Sequence, residues 1–208
     1  MSDLNKKEHW ENVYSNKQLH EVSWYQPKPE TSLYFIEKAH LPKDAKILDV
    51  GGGDSFLTDH LLDMGYTDLT VVDISEHALE RARKRLGARA DSVKWIAADV
   101  LEMELDGTYD LWHDRAVFHF VTNDNDIKRY ISQMERYIRK EGTLVLGTFS
   151  ESGPLKCSGI EIKQYSESTL DEVTGEAFEK IECLTVDHPT PFDTKQNFVF
   201  CSFRKLKD

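Results

Sequence analysis

A glycine turn between two aspartates is the feature of this sequence most able to do chemistry. Asp49 lies near the end of an apolar stretch, and three consecutive glycines follow at positions 51–53. A second apolar stretch ends at Asp73, 20 residues after Gly53. Glycines let a ligand lie against bare backbone, and an acid at the tip of a neighbouring strand can accept hydrogen bonds from both ribose hydroxyls. The spacing therefore predicts a pocket for a nucleoside-bearing cofactor.

The residues flanking the turn indicate which cofactor it would bind. A dinucleotide-binding turn follows the pattern G-x-G-x-x-G, and Phe56 replaces the third glycine here. A large aromatic residue at that position holds the helix away from a pyrophosphate, and Asp49 would repel phosphate. Both features favour a cofactor with a cationic or zwitterionic end and no phosphate. The alternatives are a nicotinamide-dependent oxidoreductase, a non-catalytic binding protein that keeps the pocket, and a tight turn with no ligand.

The elements that must position these residues follow from the hydrophobic pattern. Strands are predicted over residues 46–50, 69–73, 93–97, 109–113, 143–149, 178–186 and 197–203. Helices are predicted over residues 30–39, 55–64, 76–86, 125–139 and 168–173, and residues 150–166 are predicted to be a loop. Strands that alternate with helices form a parallel sheet with helices on both faces, and two final strands without a helix between them form an antiparallel edge pair.

These residues resemble the class I S-adenosylmethionine-dependent methyltransferases. The D-x-G-x-G motif of that family is matched by Asp49, Gly51 and Gly53, its ribose-binding acid by Asp73, and its adenine-proximal acid by Asp99. The resemblance covers residues 43–149 and implies a Rossmann-like, doubly wound seven-stranded sheet, mostly parallel with an antiparallel C-terminal strand pair. Most members have Cys or Ser where this chain has Gly52, a difference that is not expected to harm binding.

The resemblance implies S-adenosyl-L-methionine as the cofactor and assigns residues to its site. The cofactor-binding residues that it implies are Asp49, Gly51, Gly53, Ser55, Asp73, Ile74, Asp99 and Val100. The pattern along the chain predicts one domain over residues 1–208, with an N-terminal helical cap (1–40), a cofactor-binding core (43–149) and a substrate-side loop with C-terminal strands (150–208).

The N-terminal aromatic residues carry a narrower resemblance. Trp10, Tyr14, Trp24 and Tyr25 are similar to the W…Y…WY entry segment of small, uncharacterised bacterial methyltransferases, some relatives of which methylate protein lysines. Aromatic faces attract cations, so Trp24 and Tyr25 are predicted to form a wall over a sulfonium. Trp10 is predicted to anchor the segment to the core. The match specifies no methyl acceptor, which leaves a small molecule or a protein side chain.

The segment after the fourth strand is predicted to lie at the reacting methyl group. Asp114 and His119 are the candidate catalytic residues, and His113 and Arg115 are predicted to line the substrate pocket beside Trp24 and Tyr25. An imidazole suits proton removal near neutral pH, although a base is needed only when the acceptor arrives protonated. The alternative for His119 is packing against its neighbours, and Cys157 is predicted to be a loop residue without a nucleophilic role.

Composition limits the class of partner. The formal net charge is −11, and the basic cluster at residues 81–89 is predicted to be a solvated helix face, so nucleic acid is an unlikely substrate. Three widely spaced cysteines argue against a disulfide framework or a zinc site and favour the cytoplasm, and no metal site is predicted. No membrane span or signal peptide is predicted, and the expected state is a monomer or weak dimer.

Overall fold

The strands form one seven-stranded sheet in the order β3-β2-β1-β4-β5-β7-β6. The computed structural model describes residues 3–207, so the first two residues and the last one of the predicted domain lie outside it. The strands are β1 Lys46–Val50, β2 Asp68–Asp73, β3 Val93–Ala97, β4 Tyr109–Arg115, β5 Ile138–Phe149, β6 Phe178–Pro189 and β7 Lys195–Lys205. β1 to β5 pair in parallel, and β7 is antiparallel to both of its neighbours. The predicted fold class is confirmed.

Six helices in the described residues accompany the sheet. They are α1 Asp3–Asn16, α2 Glu30–Lys38, α3 Leu57–Asp63, α4 Glu76–Leu86, α5 Asp124–Tyr137 and α6 Glu167–Thr174. The predicted start of α3 at residue 55 is wrong, because residues 51–55 complete the turn in which Ser55 N–H donates to Gly52 O. Ser75 caps α4 as expected by accepting from Ala78 N–H. α1 lies within the predicted N-terminal helical cap, but its bounds were not predicted, because its sequence is polar on most sides and shows no apolar stripe.

The two faces of the sheet determine where the residues of β4 point. Successive side chains of a strand alternate between faces. Trp112 packs in the core on the face of α5, whereas Leu111 packs in the core on the face of α2. The strand is two residues longer than predicted and ends at Arg115. By this alternation His113 and Arg115 lie on the α2 face, and Asp114 lies on the α5 face.

The C-terminal part corrects the interpretation of the cysteines. Cys183 of β6 and Cys201 of β7 are direct cross-strand neighbours and form a disulfide, with their Cα atoms 4.1 Å apart. The two cysteines lie on opposite arms of one hairpin and are 18 residues apart in sequence, so their spacing alone did not indicate the pairing. Cys157 is free and buried. Cysteine spacing therefore gives no support to a cytoplasmic location.

The predicted loop 150–166 contains a small hairpin. Lys156–Cys157 pairs antiparallel with Ile160–Glu161, and Tyr165 N–H then donates to Phe149 O and returns the chain to the sheet. The hairpin thereby holds Cys157 close to the end of β5. None of the helices at residues 3–207 is long and apolar enough to cross a membrane.

Candidate functional site

A large cavity lies at the carboxyl ends of β1, β2, β3 and β4. Its empty space totals about 1280 Å³, counting its open mouth. Ligand pockets are typically clefts lined mainly by apolar side chains with a few polar groups, and the lining of this cavity has that character. In an open α/β sheet, ligands bind at the carboxyl ends of the strands where the strand order reverses, and here that point lies between β1 and β4.

The glycine turn brings backbone to the floor of the cavity. Gly51 has a φ of +66°, and a Cβ at this position would overlap Val117 Cγ2. A Cβ at Gly52 would overlap Asp49 Oδ2 and would lie 2.8 Å from Val71 Cγ1. The close approach of Asp49 and Val71 therefore requires glycine at position 52.

Gly53 opens the space in front of Asp73. A Cβ on Gly53 would lie 3.0 Å from both Asp73 Oδ2 and the hydroxyl of Tyr14. Asp73 Oδ1 accepts from Ser75 N–H at 2.8 Å, which fixes the carboxyl group. Burial is the main reason that the pKa of Asp73 is raised to about 7. The hydrogen bond from Ser75 lowers the pKa and the neighbouring acid Asp54 raises it, and the value of about 7 includes both effects. A carboxylate and a phenol hydroxyl thus face the gap that glycine leaves, as a pair of ribose hydroxyls requires.

The tips of β2 and β3 complete this side of the cavity. Ala98 N–H donates to Asp73 O at 2.9 Å, which holds the two strand ends together. Asp99 and Val100 line the cavity next to Ile74. Asp99 Oδ1 accepts from Leu101 N–H at 2.9 Å, which fixes the carboxylate at the cavity wall. We call the turn 51–53 with Asp73 and Asp99 the cofactor end.

A hydrogen-bonded chain lies beneath the turn. Asp49 Oδ1 is 2.7 Å from His113 Nδ1, and His113 Nε2 is 2.9 Å from Ser32 Oγ. All three side chains are buried and line the cavity. Asp49 Oδ2 is buried and has no hydrogen-bond partner. Both ring nitrogens of His113 are engaged, so the structure gives this histidine a positioning role.

Four aromatic residues form a roof over the cavity. The aromatic roof consists of Trp10, Tyr14, Trp24 and Phe120, and each of them lines the cavity. The ring of Trp10 lies 5.8 Å from that of Trp24 and 5.2 Å from that of Phe120, both edge to face. Tyr25 lies elsewhere, in a small neighbouring cleft with its ring 6.2 Å from Phe56. The prediction of Tyr25 as a wall residue of the main cavity is therefore wrong, and Trp10 does more than anchor.

Hydrogen bonds to α4 and to its cap residue Ser75 hold α1 over the cavity. Glu11 accepts from the backbone N–H of Glu76 at 2.8 Å and from the hydroxyl of Ser75 at 3.0 Å, which places its carboxylate at the N-terminus of α4. These hydrogen bonds outweigh burial and lower the pKa of Glu11. At the other end of α1, Arg81 donates to the carbonyl of Tyr14 and pairs with Asp54 at 3.0 Å.

The basic cluster on α4 and the segment after it is largely neutralised. Its arginines and lysine pair with nearby acids, namely Arg81 with Asp54, Arg83 with Glu76, Lys84 with Glu80, Arg85 with Asp59 and Arg89 with Asp63. Arg81 and Arg85 are mostly buried, so the prediction of a solvated face is wrong for these two. Arg85 also covers the ring of Phe56 at 4.3 Å, and Phe56 is the N-cap residue of α3.

The two predicted catalytic residues lie outside the cavity lining. Asp114 points to the α5 face, where it accepts from the N–H groups of Val117 and Phe118 and from the Tyr130 hydroxyl. Burial raises its pKa to about 6. His119 is fully buried, stacks on Phe149 at 4.5 Å, and has a pKa that burial lowers to about 3. Asp114 orders the loop after β4, and His119 packs in the core, so neither fits the predicted catalytic role.

The other end of the cavity lies at β4 and β7. Arg115, Cys157, Gln196, Phe149 and Phe198 line it, and we call these five residues the acceptor end. Arg115 donates to Trp24 O at 3.1 Å, and its guanidinium lies over Phe198 at 5.6 Å. Burial raises the pKa of Cys157 to about 11, which keeps the thiol protonated at neutral pH and fits the absence of a predicted nucleophilic role.

The structure brings most of the predicted site residues to one cavity. Those that line it are Trp24, Asp49, Gly51, Ser55, Asp73, Ile74, Asp99, Val100, His113 and Arg115, and Gly53 lies directly beside Asp73. Sequence reasoning named Tyr14 only as part of the aromatic entry segment and not as a site residue, and it missed Gln196. Tyr14 follows Trp10 by four residues, a spacing that places both on one face of a helix. No local pattern marks Gln196, which reaches the cavity through strand pairing.

Comparison with known proteins identifies relatives for the part of the chain that holds the cavity. Residues 47–142 match the family model described as a methyltransferase domain. The chain is 25% identical over 159 residues to the mouse eEF1A lysine and N-terminal methyltransferase, which covers 72% of this chain and 22% of that protein. It is 34% identical over 106 residues to a malonyl-[acyl-carrier protein] O-methyltransferase of Anoxybacillus flavithermus, which covers 50% of this chain and 39% of that protein.

A solved structure has the same fold over almost the whole chain. The N-methyltransferase NodS of Bradyrhizobium japonicum, in complex with S-adenosyl-L-homocysteine, superposes with a TM-score of 0.74 at 18% sequence identity. The match covers 98% of this chain and 100% of that chain. By contrast, the chain spans about a fifth of the mouse relative and about two fifths of the bacterial one.

Proposed function

Because the chain carries a class I methyltransferase domain, we propose that it transfers a methyl group from S-adenosylmethionine to a small molecule or a protein side chain. One observation carries this proposal. The glycine turn, Asp73 and Asp99 meet at one cavity, in the order in which a bound methionine, ribose and adenine would need them. Asp73 would hold the ribose hydroxyls, and Asp99 with the backbone of Val100 would hold the adenine.

S-adenosylmethionine, when bound, supplies a methyl group made reactive by a sulfonium. The residues of this chain position and desolvate it. Asp49 Oδ2, which lacks a partner, is placed to accept from an ammonium group, and the aromatic roof excludes water and favours a cation beneath it. Neither predicted catalytic residue, Asp114 or His119, lines the cavity, and His113, which does line it, is hydrogen-bonded at both ring nitrogens. We therefore propose catalysis by positioning, with an acceptor that arrives with a free electron pair.

The relatives suggest the range of acceptors. By their names, one acts on lysines and the N-terminus of eEF1A and another on malonyl-[acyl-carrier protein]. The aromatic roof lies over the cavity and favours a small acceptor. We further propose that residues 1–208 form a single methyltransferase domain that acts in the cytoplasm as a monomer or weak dimer. The pairing of the basic cluster speaks against nucleic acid as the substrate.

Two alternatives are less favoured. A nicotinamide-dependent oxidoreductase needs a pyrophosphate at the turn, and Phe56 and Asp49 both oppose one. Detection of bound NAD after gentle purification would support it. A non-catalytic protein would bind the cofactor without turnover. A methyl-transfer assay with labelled S-adenosylmethionine across thiols, amines, carboxylates and cell extract would separate that protein from an enzyme.

The proposal is tested by thermal unfolding and calorimetry with S-adenosylhomocysteine. We expect saturable binding and a rise in melting temperature. Phe56→Gly serves as a control, because it removes the feature that opposes a pyrophosphate and leaves the acids in place. If millimolar S-adenosylhomocysteine gives neither heat nor stabilisation while NAD gives both, the proposed function is wrong.

A further inference from the structure

The acceptor end holds a half-buried cation, Arg115, with one buried guanidinium nitrogen. Arg115 Nη2 is buried and makes no hydrogen bond, while Nη1 donates only to the carbonyl oxygen of Trp24. No carboxylate lies within ion-pair distance of it among residues 6–207, the part of the chain whose side chains the structure describes. Arg81 and Arg85, which lie near the other end of the cavity, both have such partners at 3.0 and 2.7 Å. A buried guanidinium nitrogen without a partner is costly, so Nη2 of Arg115 is suited to pair with an anion.

The described ionisable groups around Arg115 do not form an ion pair with it. Asp49 acts on Arg115 electrostatically from beyond ion-pair distance, and its Oδ1 is hydrogen-bonded to His113. The histidines nearby, His119 and His188, are kept neutral by burial first and by the charge of Arg115 second, with pKa values lowered to about 3 and 4. Burial lowers the pKa of Arg115 to about 10, so the guanidinium is still charged at neutral pH.

A second unpaired polar atom belongs to Gln196, which also lines the cavity. Gln196 Oε1 is buried without a hydrogen-bond partner, while its Nε2 donates to Ser23 Oγ at 3.2 Å. The walls between Arg115 and Gln196 are the rings of Phe149 and Phe198, 4.7 Å apart. The acceptor end therefore offers N–H donors from a cation, one carbonyl acceptor and apolar walls.

We propose that Arg115 binds the carboxylate of a small organic acid that is the methyl acceptor, and that Gln196 accepts a hydrogen bond from an N–H or O–H of the same molecule. A guanidinium matches a carboxylate in shape and charge, and its donors pair with both oxygens. The aromatic walls favour an acid with a flat apolar body. This inference rests on the proposed function, because it takes the rest of the cavity to be filled by the cofactor.

The carboxylate could have another source, the amino-acid end of the cofactor itself. The position of Arg115 against β7 and the 156–161 hairpin favours the acceptor. Two ligands separate the sources, because 5′-methylthioadenosine has the adenosine and sulfur of S-adenosylhomocysteine and lacks its carboxylate. If Arg115 binds the cofactor, replacing Arg115 lowers the affinity for S-adenosylhomocysteine and leaves the affinity for 5′-methylthioadenosine unchanged.

The experiment measures binding of matched acid and amide pairs to protein saturated with S-adenosylhomocysteine. The pairs are phenylacetate with phenylacetamide and indole-3-acetate with indole-3-acetamide, titrated by ligand-observed NMR into the wild type, Arg115→Gln and Arg115→Lys. We expect the wild type to prefer the acid by at least about tenfold, Arg115→Gln to lose the preference, and Arg115→Lys to keep part of it. Thermal unfolding shows that each variant folds, and Arg115→Lys keeps the charge if Arg115→Gln does not fold.

Three outcomes are informative. Equal affinity of acid and amide for the wild type overturns the inference. If Arg115→Gln lowers the affinity for S-adenosylhomocysteine but not that for 5′-methylthioadenosine, the inference is also overturned, and Arg115 is assigned to cofactor binding. If the wild type fails to bind S-adenosylhomocysteine at all, the proposed function fails, and the same titrations without it then decide the inference separately, by whether the acid preference depends on Arg115.

Discussion

The cofactor end and the acceptor end of the cavity are built in different ways. At the cofactor end, a short backbone turn and acids at the tips of β2 and β3 form the site, and each acid is fixed by a hydrogen bond from a residue two positions along the chain. At the acceptor end, side chains from β4, β7 and the 156–161 hairpin meet only through tertiary structure. The first end is encoded locally, and the second depends on strand pairing across the sheet.

The two ends also differ in charge. Asp49, Asp73 and Asp99 make the cofactor end acidic, which suits hydroxyl, amine and ammonium donors. Arg115 makes the acceptor end basic. The net charge of −11 points to a basic or neutral partner, whereas the cavity points to an acid. Local charge in a buried site outweighs the charge of the whole surface, because exposed charges are screened within about 10 Å at ordinary salt.

Asp73→Asn should have the largest effect, and it should affect the cofactor end alone. The variant loses a charged acceptor for two ribose hydroxyls, so we expect the affinity for S-adenosylhomocysteine to fall by about 100-fold or more. Calorimetry at pH 8 measures the change. A change of less than about threefold would show that Asp73 is only a helix-end acid.

The stability of the same variant provides its control. The folded-state pKa of Asp73, about 7, is raised above the unfolded value of 3.8, so its contribution to stability is present at low pH and is lost as pH rises through 7. Asp73→Asn should therefore melt at a higher temperature than the wild type at pH 8, and the difference should vanish below about pH 4. Lower stability at pH 8 would mean that the charged carboxylate is not destabilising.

The pH dependence of cofactor binding should show the second-largest effect. Ribose hydroxyls bind best to the ionised carboxylate, so protonation of Asp73 competes with the ligand. Below pH 7, the dissociation constant of S-adenosylhomocysteine should rise by up to about tenfold for each pH unit, and above pH 8 it should be constant. Titrations between pH 5.5 and 8.5 check this. An equally steep profile for Asp73→Asn would place the titrating group elsewhere.

Glu11→Ala should give an intermediate effect that reaches both ends of the cavity. It removes the carboxylate that joins α1 to the N-terminus of α4, and so loosens the aromatic roof. We expect a loss of about 1–2 kcal/mol in the free energy of unfolding, typical of a lost helix cap, and weaker S-adenosylhomocysteine binding. Glu8→Ala changes an exposed glutamate of the same helix and is the matched control. Equal behaviour of the two variants would contradict the role of Glu11.

His119→Phe should give the smallest effect. The ring stacks on Phe149 in the core and accepts one weak hydrogen bond from Phe149 N–H at 3.3 Å. Binding of S-adenosylhomocysteine should stay within about threefold of the wild type, with at most about 1–2 kcal/mol lost in stability. Once an acceptor is known, the pH profile of methyl transfer should match that of the wild type. If the pH profile of His119→Phe lacks a pH-dependent limb that the wild type shows, His119 has a catalytic role after all.

The sequence predicted most of the sheet and most of the cofactor end, because these depend on local patterns. The apolar strands, the glycine turn and the strand-tip acids each occupy a few consecutive residues. Asp114 was misassigned because the direction of its side chain depends on the face of β4 on which it lies. His119 was misassigned because the direction of its side chain depends on the turn that follows β4. Tyr14 was not named as a site residue because α1 lacks an apolar stripe, and Gln196 was missed because β7 reaches the cavity only through its pairing with β5.

A calorimetric titration of S-adenosylhomocysteine into the wild type, Asp73→Asn and Arg115→Gln at pH 8 tests the account most directly. We expect the wild type to bind saturably, Asp73→Asn to lose at least about 100-fold in affinity, and Arg115→Gln to stay within about threefold of the wild type. No heat from the wild type at millimolar ligand would contradict the methyltransferase assignment. A loss in Arg115→Gln as large as that in Asp73→Asn would contradict the division of the cavity into two ends.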